Sequence, residues 1–343
     1  MKAVVKPGLA PGAEIREVAV PTIGPRDVLL KIKAVAICGS DIHIYHSSPT
    51  MMSLARPPLI FGHEACGEVV EVGEQVTGLA LGDLVAVETH IPCGTCYQCQ
   101  TGGQHVCERL TIFGVQTDGA FAEYARVPEI VCWKLPGDTS PDLGAILEPL
   151  GVAVHGVLSG EIGGRSVAVF GCGPIGILAL QAAIALGATR VFAVEIVPAR
   201  LKLAHQCAPG AVLINPEKVN PVEAILEASG GQGVDVCLEY SGSSQALKQA
   251  LKAVKRRGRV SLVGVPSGPV ELDVYPDIIL KETKLLGISG RLIWQSWWQV
   301  SELLASGRLN PMKVITHRFP LADFATAIEL AAGGETGKIM IYP

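Results

Sequence analysis

The sequence predicts an α/β protein of two domains, one rich in antiparallel β-structure and one built on a doubly wound parallel sheet. Three observations carry this. The first 150 residues break into short apolar runs punctuated by Gly and Pro, such as DVLLKIKAVAIC (Asp27–Cys38) and the stretch Gly67–Val87, the pattern of strands joined by turns. After about Leu150 the character changes, and apolar strands at 167–171, 191–195, 211–215, 234–240 and 259–264 alternate with helical stretches, which implies βαβ units. Finally, 343 residues with 49% hydrophobic content suffice for two cores. Two further helical segments, Gln295–Ser306 and Leu321–Ala332, precede GKIMIYP, a strand free to rejoin the first domain. The expected division is therefore 1–150 with 291–343, and 151–290.

Several function classes drop out early. The run Val167–Ala188 has no charge in 22 residues, but Gly171, Gly173, Pro174 and Gly176 sit near its start, and the helix-compatible part after them is shorter than the ~20 residues a bilayer requires. It reads as strand, tight turn and buried helix, so no membrane partner is expected. A net charge of −4 steers no polyanion, and no nucleic-acid partner is expected either. The opening MKAVVKPGLAPG lacks the apolar run of a signal peptide, which predicts a reducing, cytoplasmic setting.

In that setting thiols more often hold a metal than form disulfides. Cys93, Cys96, Cys99 and Cys107 form a C-x2-C-x2-C-x7-C pattern within a lobe at 88–110, which lets one loop surround a tetrahedral ion. Zinc fits best; the iron–sulfur alternative closes with C-x3-C-P in bacterial ferredoxins, and here the last gap is seven residues with no proline after it. Four thiolates leave no open coordination position, so this zinc is structural. A nucleic-acid-binding ribbon is disfavoured because Arg109 is the only Arg or Lys between Glu88 and Thr111.

GCGPIG supplies Gly171, Gly173 and Gly176 straight after an apolar strand and at the start of a helix, the context a dinucleotide-binding turn requires. Its glycines permit the turn, the approach of the pyrophosphate and close helix–strand packing, with Ile175 in the same turn. Glu195, 19 residues past Gly176, stands where a carboxylate accepts the adenosine ribose hydroxyls, which favours NAD over NADP. Arg200 is either a guanidinium stacked on adenine or a clamp for a 2′-phosphate.

Two short runs complete the inventory. ICGSDIH holds Cys38, Ser40 and His43, and GHE holds His63 and Glu64; Cys and His are suitable zinc ligands, and Glu64 or Glu148 can add an oxygen. Taken singly each has a bland reading, a buried thiol or a hydrogen-bonding histidine. In this order with the four-cysteine lobe and the glycine turn, they make the chain resemble the zinc-dependent medium-chain alcohol dehydrogenases over essentially its full length.

The resemblance implies a GroES-like catalytic domain made from both ends of the chain and a Rossmann domain between. Cys38, His63, Glu64 and Glu148 then correspond to a catalytic zinc site, and Ser40 and His43 to a proton relay. Val263, Gly264, Val265, Ile288 and Ser289 extend the cofactor site. The runs at 88–96, 113–124, 287–298 and 315–321 are similar to the threonine-oxidising branch, with His90 and Val152 at substrate positions. That branch usually has Thr where Ser40 stands and Asn where Val152 stands. A polyol or 2,3-butanediol is therefore the alternative substrate, and a non-enzymatic NAD-binding regulator the minor one. A homotetramer or homodimer acting on a small secondary alcohol is what the family implies.

Overall fold

The computed structural model describes all 343 residues, which fall into two compact units. The first comprises Met1–Pro149 and Ile315–Pro343, the second Leu150–Val314.

In the first unit a seven-stranded sheet is centred on Asp27–Ala36, which pairs antiparallel with Glu64–Val72 and Tyr124–Pro128. The expected long stretch Gly67–Val87 is divided between the strands Glu64–Val72 and Leu84–Val87, because the Gly- and Asp-containing turn between them reverses the chain. The terminal strand Lys338–Tyr342 joins Asp27–Ala36 antiparallel, with Met340 opposite Ala36. Its core gathers alternate strand residues such as Val28, Leu30 and Ile32 with Phe61, Phe121 and Phe324, whose rings meet edge to face.

The second unit is a six-stranded parallel sheet in the order Ala211–Ile214, Arg190–Val194, Ser166–Phe170, Val234–Glu239, Val254–Leu262, Lys284–Gly287. Numbered along the chain this is 3-2-1-4-5-6, the doubly wound order whose reversal lies beside the first strand. The run resembling a membrane span is that strand plus the helix Pro174–Ala185, almost wholly buried, and no helix is long and apolar enough to cross a membrane.

Residues 291–314, expected with the first domain, pack in the second unit instead. Trp297 and Val300 of the helix Gln295–Ala305 are buried there, and the Asn310 N–H donates to Gln181 Oε1 at 3.2 Å. The other expected boundary, after residue 150, lies inside one continuous helix, Pro141–Leu158, which carries Pro149 in its interior.

Candidate functional site

The strand Asp27–Ala36 ends two residues before Cys38, which caps the helix Gly39–Tyr45. Its register sets Ala36 opposite Glu64, so the chain ends carrying Cys38 and His63 meet. Gly62 turns the chain into that position at φ +94°, where a Cβ would come within 2.6 Å of the Phe121 ring. The Cys38 sulfur, a His63 ring nitrogen and a Glu64 oxygen consequently lie within 4.8 Å of one another. Thiolate, imidazole and carboxylate are the donors of catalytic zinc sites, so these residues fit the metal.

Asp41 organises this corner from beneath. One of its oxygens accepts the Cys38 N–H at 2.8 Å and the other lies 3.6 Å from His63 Nδ1, leaving Nε2 for a metal. Burial works to raise the Asp41 pKa, and the His63 charge is the main opposing influence. Glu64 is fully buried and receives the Lys338 ammonium on both oxygens, while Lys338 also donates to Ile37 O at 3.2 Å. Burial drives the Glu64 carboxyl well above the usual carboxylate range, and the Lys338 ammonium is the main influence opposing it.

Glu148 stands outside the triplet. Its Oε1 accepts from the buried Thr89 hydroxyl at 3.0 Å, while its charge reaches Glu64 and Asp41. Next to Thr89, His90 is tied to buried Glu88, whose Oε1 accepts the His90 N–H at 2.9 Å and faces Nδ1 at 3.3 Å. The Ser40 hydroxyl is buried without a hydrogen-bond partner, and His43 is exposed. Val152 lies half-buried in the second unit.

The four lobe cysteines also bring their sulfurs within 4.8 Å of one another. Cys96 Sγ is 3.5 Å from Cys99 Sγ and 3.7 Å from Cys107 Sγ, close to the ~3.8 Å edge of a tetrahedron with Zn–S of about 2.3 Å. Backbone N–H groups, Thr95 foremost, hold the Cys93 thiol down to about 5, whereas burial pushes Cys99 up to about 12. A cation between sulfurs this close together favours their thiolate forms. Apart from the cysteines, Leu110 is the one hydrophobic residue in the lobe's cluster, so the metal is what folds it.

In the second unit Gly171 turns at φ +89°, and a Cβ on Gly176 would overlap Gly171 O at 1.9 Å. Gly173 faces open space at the N-terminus of Pro174–Ala185, the cradle a pyrophosphate needs. Gly171, Gly173, Glu195, Arg200, Tyr240 and Ser241 line a cavity of about 390 Å³. Glu195 is buried at the end of Arg190–Val194 and accepts the N–H groups of Cys172 (2.8 Å) and Val197 (3.0 Å), with Arg200 Nη1 3.9 Å away. The carboxylate thus braces the glycine turn besides facing the cavity. Of the remaining expected cofactor residues, Ile175, Val263, Gly264 and Ile288 are half-buried, and Val265 and Ser289 are exposed.

Sequence reading missed Asp41, Lys338 and Glu239. Asp41 lies three residues beyond Cys38, the spacing of a helix cap and its reciprocal partner. Lys338 was legible only as the single charge of an apolar strand and Glu239 only as one of two acids in VDVCLE; Glu239 accepts the Ser241 and Gly242 N–H groups at the end of Val234–Glu239.

A nucleotide-cradling turn on a 3-2-1-4-5-6 sheet, an open zinc-type triplet and a closed tetrathiolate lobe define a metal-dependent, dinucleotide-linked dehydrogenase. The comparisons agree: residues 24–137 match the family Alcohol dehydrogenase GroES-like domain, and residues 174–306 match the family Zinc-binding dehydrogenase. The chain belongs to the zinc-binding dehydrogenases with a GroES-like domain, enzymes that act on a CH–OH group. An L-threonine 3-dehydrogenase of Symbiobacterium thermophilum is 47% identical over 346 residues, covering 100% of this chain and 98% of that protein. A zinc-binding dehydrogenase of Sinorhizobium meliloti 1021 solved with NADP superposes with a TM-score of 0.91 at 33% identity, covering 100% and 99% of the two chains. The 2R,3R-butanediol dehydrogenase of Bacillus subtilis gives a TM-score of 0.90 at 32% identity with the same coverage.

Proposed function

We propose that this chain is an NAD-dependent L-threonine 3-dehydrogenase, oxidising the hydroxyl-bearing carbon of threonine to give 2-amino-3-oxobutanoate. The observation that carries this is the full-length similarity to the Symbiobacterium thermophilum enzyme of that name.

Zinc supplies Lewis-acid polarisation of the substrate hydroxyl, and NAD supplies the hydride acceptor. Cys38, His63 and Glu64 would hold the metal, with Glu148 as the further carboxylate available to it. Asp41 faces the His63 ring, and Lys338 pairs with Glu64. The Ser40 hydroxyl, buried and unpartnered, accepts the proton leaving the substrate oxygen as it passes its own onward, and exposed His43 delivers a proton to water at the end of the relay. His90, oriented by Glu88, and Val152 contact the substrate. In the nucleotide unit Gly171, Gly173, Ile175 and Gly176 cradle the pyrophosphate, Glu195 binds the adenosine ribose and Arg200 covers the adenine. Val263, Gly264, Val265, Ile288 and Ser289 contact the nicotinamide half. The buried Glu195 carboxylate supports NAD over NADP, because it repels a 2′-phosphate.

The functional domains we assign are 1–149 with 315–343 for catalysis and 150–314 for the cofactor. Self-association as a homodimer or homotetramer is supported by the edge position of strand Lys284–Gly287 and the exposed Val274, Tyr275 and Ile279. Ten cysteines without a disulfide support a reducing, cytoplasmic location.

Val152 favours a second reading, a polyol or 2,3-butanediol, since it offers no hydrogen bond to an ammonium or carboxylate. Steady-state kcat/KM values for L-threonine, sorbitol, xylitol and 2,3-butanediol with NAD separate the two. Threonine is expected to lead, and V152N to raise its turnover relative to sorbitol. Threonine turnover no faster than that of the polyols overturns the first reading in favour of the second.

A further inference from the structure

We propose that Arg109 is the built-in counter-cation of the four-cysteine site and sets how slowly its zinc is released. Four thiolates around a divalent ion carry two net negative charges, and a lobe of this size must offset them from its own residues. Arg109 is the only Arg or Lys between Glu88 and Thr111. Its Nη2 donates to Cys93 Sγ at 3.2 Å and to Thr95 Oγ1 at 2.7 Å, while its backbone N–H donates to Cys107 Sγ at 3.3 Å. The Cys93 N–H also donates to Cys107 Sγ at 3.3 Å, so one residue touches two of the four sulfurs and a backbone bond links them.

The choice of sulfur matters. Cys96, Cys99 and Cys107 are buried, and Cys93 is the one ligand partly open to solvent. A competing chelator or water therefore reaches the ion beside Cys93, where the guanidinium lies. Donors to a coordinated thiolate and a positive charge at that edge both favour the bound state, and losing such an outer partner typically costs 10–100-fold in metal affinity.

The test monitors zinc transfer from the holoenzyme to the chromogenic chelator 4-(2-pyridylazo)resorcinol. Two zinc ions per chain should leave in separate phases, and R109Q should accelerate only the slow one, by roughly 10–100-fold. Because the contact is exposed, added salt should speed that phase in the unaltered protein and leave it unchanged in R109Q. R109K should keep the salt response while releasing zinc faster than the unaltered protein, since a point charge cannot bridge Cys93 and Thr95 together. Cobalt-substituted R109Q should shift the thiolate-to-metal charge-transfer bands. Release at the unaltered rate, or faster release with the salt response intact, overturns the proposal. If R109Q does not fold, R109K carries the test alone: a several-fold faster slow phase supports the proposal, and an unchanged one overturns it.

Discussion

Asp41 and His63 form a buried carboxylate–imidazole pair, Oδ1 to Nδ1 at 3.6 Å, and the other oxygen of Asp41 accepts the Cys38 N–H at 2.8 Å. One side chain thus reaches two ligands of the candidate catalytic zinc. Removing its charge while keeping its shape isolates that role. D41N is expected to weaken zinc binding at this site by 10–100-fold and leave the lobe zinc in place. Competitive chelation of the two ions is the check; equal loss of both ions would count against the pairing.

Lys338 and Glu64 make a second buried pair, with Lys338 donating to both carboxylate oxygens. Deleting one member of such a pair leaves the other charge uncompensated. K338A is expected to lose about 3–5 kcal/mol of stability by denaturant titration, and K338R to recover most of it. A K338A loss below about 1 kcal/mol, the range of surface pairs, would rule the pair out as a structural requirement.

The four-cysteine lobe sets zinc stoichiometry as well as stability. Purified protein should hold two zinc ions per chain, and C99S should keep one of them and melt at lower temperature, since a structural site contributes its binding energy to folding. Metal analysis showing iron, or an unchanged melting temperature in C99S, contradicts this assignment.

For the cofactor, Glu195 serves both the ribose and the glycine turn, through Cys172 and Val197. E195Q removes the charge but keeps one acceptor for two N–H groups that reach different oxygens, Cys172 on Oε2 and Val197 on Oε1, so it should narrow the preference for NAD over NADP at a modest cost in stability. E195A should narrow it too and also melt earlier. Arg200→Ala then separates selective loss of NADP use, a phosphate clamp, from uniform weakening, an adenine contact.

His155, whose Nδ1 lies 3.0 Å from Gly290 O, gives the fold a pH dependence. Burial, and then the nearby Arg291 charge, lower its pKa below the ordinary 6.5. The unfolded chain therefore binds the proton more readily, so stability from this group is complete above about pH 6.5 and declines as pH falls through that value. Melting temperature should drop between about pH 7 and 5, and H155N, which keeps a donor for the carbonyl, should flatten the drop. An identical profile in H155N would remove His155 as its source.

Periodicity and glycine placement made the two-part architecture legible in advance, and local spacing made the four-cysteine cluster and the dinucleotide turn legible, whereas the Cys38, His63 and Glu64 cluster was legible only through the family resemblance. What escaped were the partners that brace these sites, some of them contributed across long separations. Lys338 meets Glu64 because the terminal strand returns to Asp27–Ala36, a pairing that no local pattern specifies. Residues 291–314 were assigned to the wrong side of a boundary because burial of Trp297 and Val300 depends on which unit receives the helix, not on its own amphipathic pattern.

The most direct test of the central claim is NADH formation from L-threonine and NAD by the zinc-loaded enzyme, measured together with the yield of 2-amino-3-oxobutanoate. Equal amounts of the two products, loss of both on chelation, and recovery on zinc addition are the predicted result. Metal-independent turnover, or no turnover of threonine while 2,3-butanediol or sorbitol is oxidised, would contradict it.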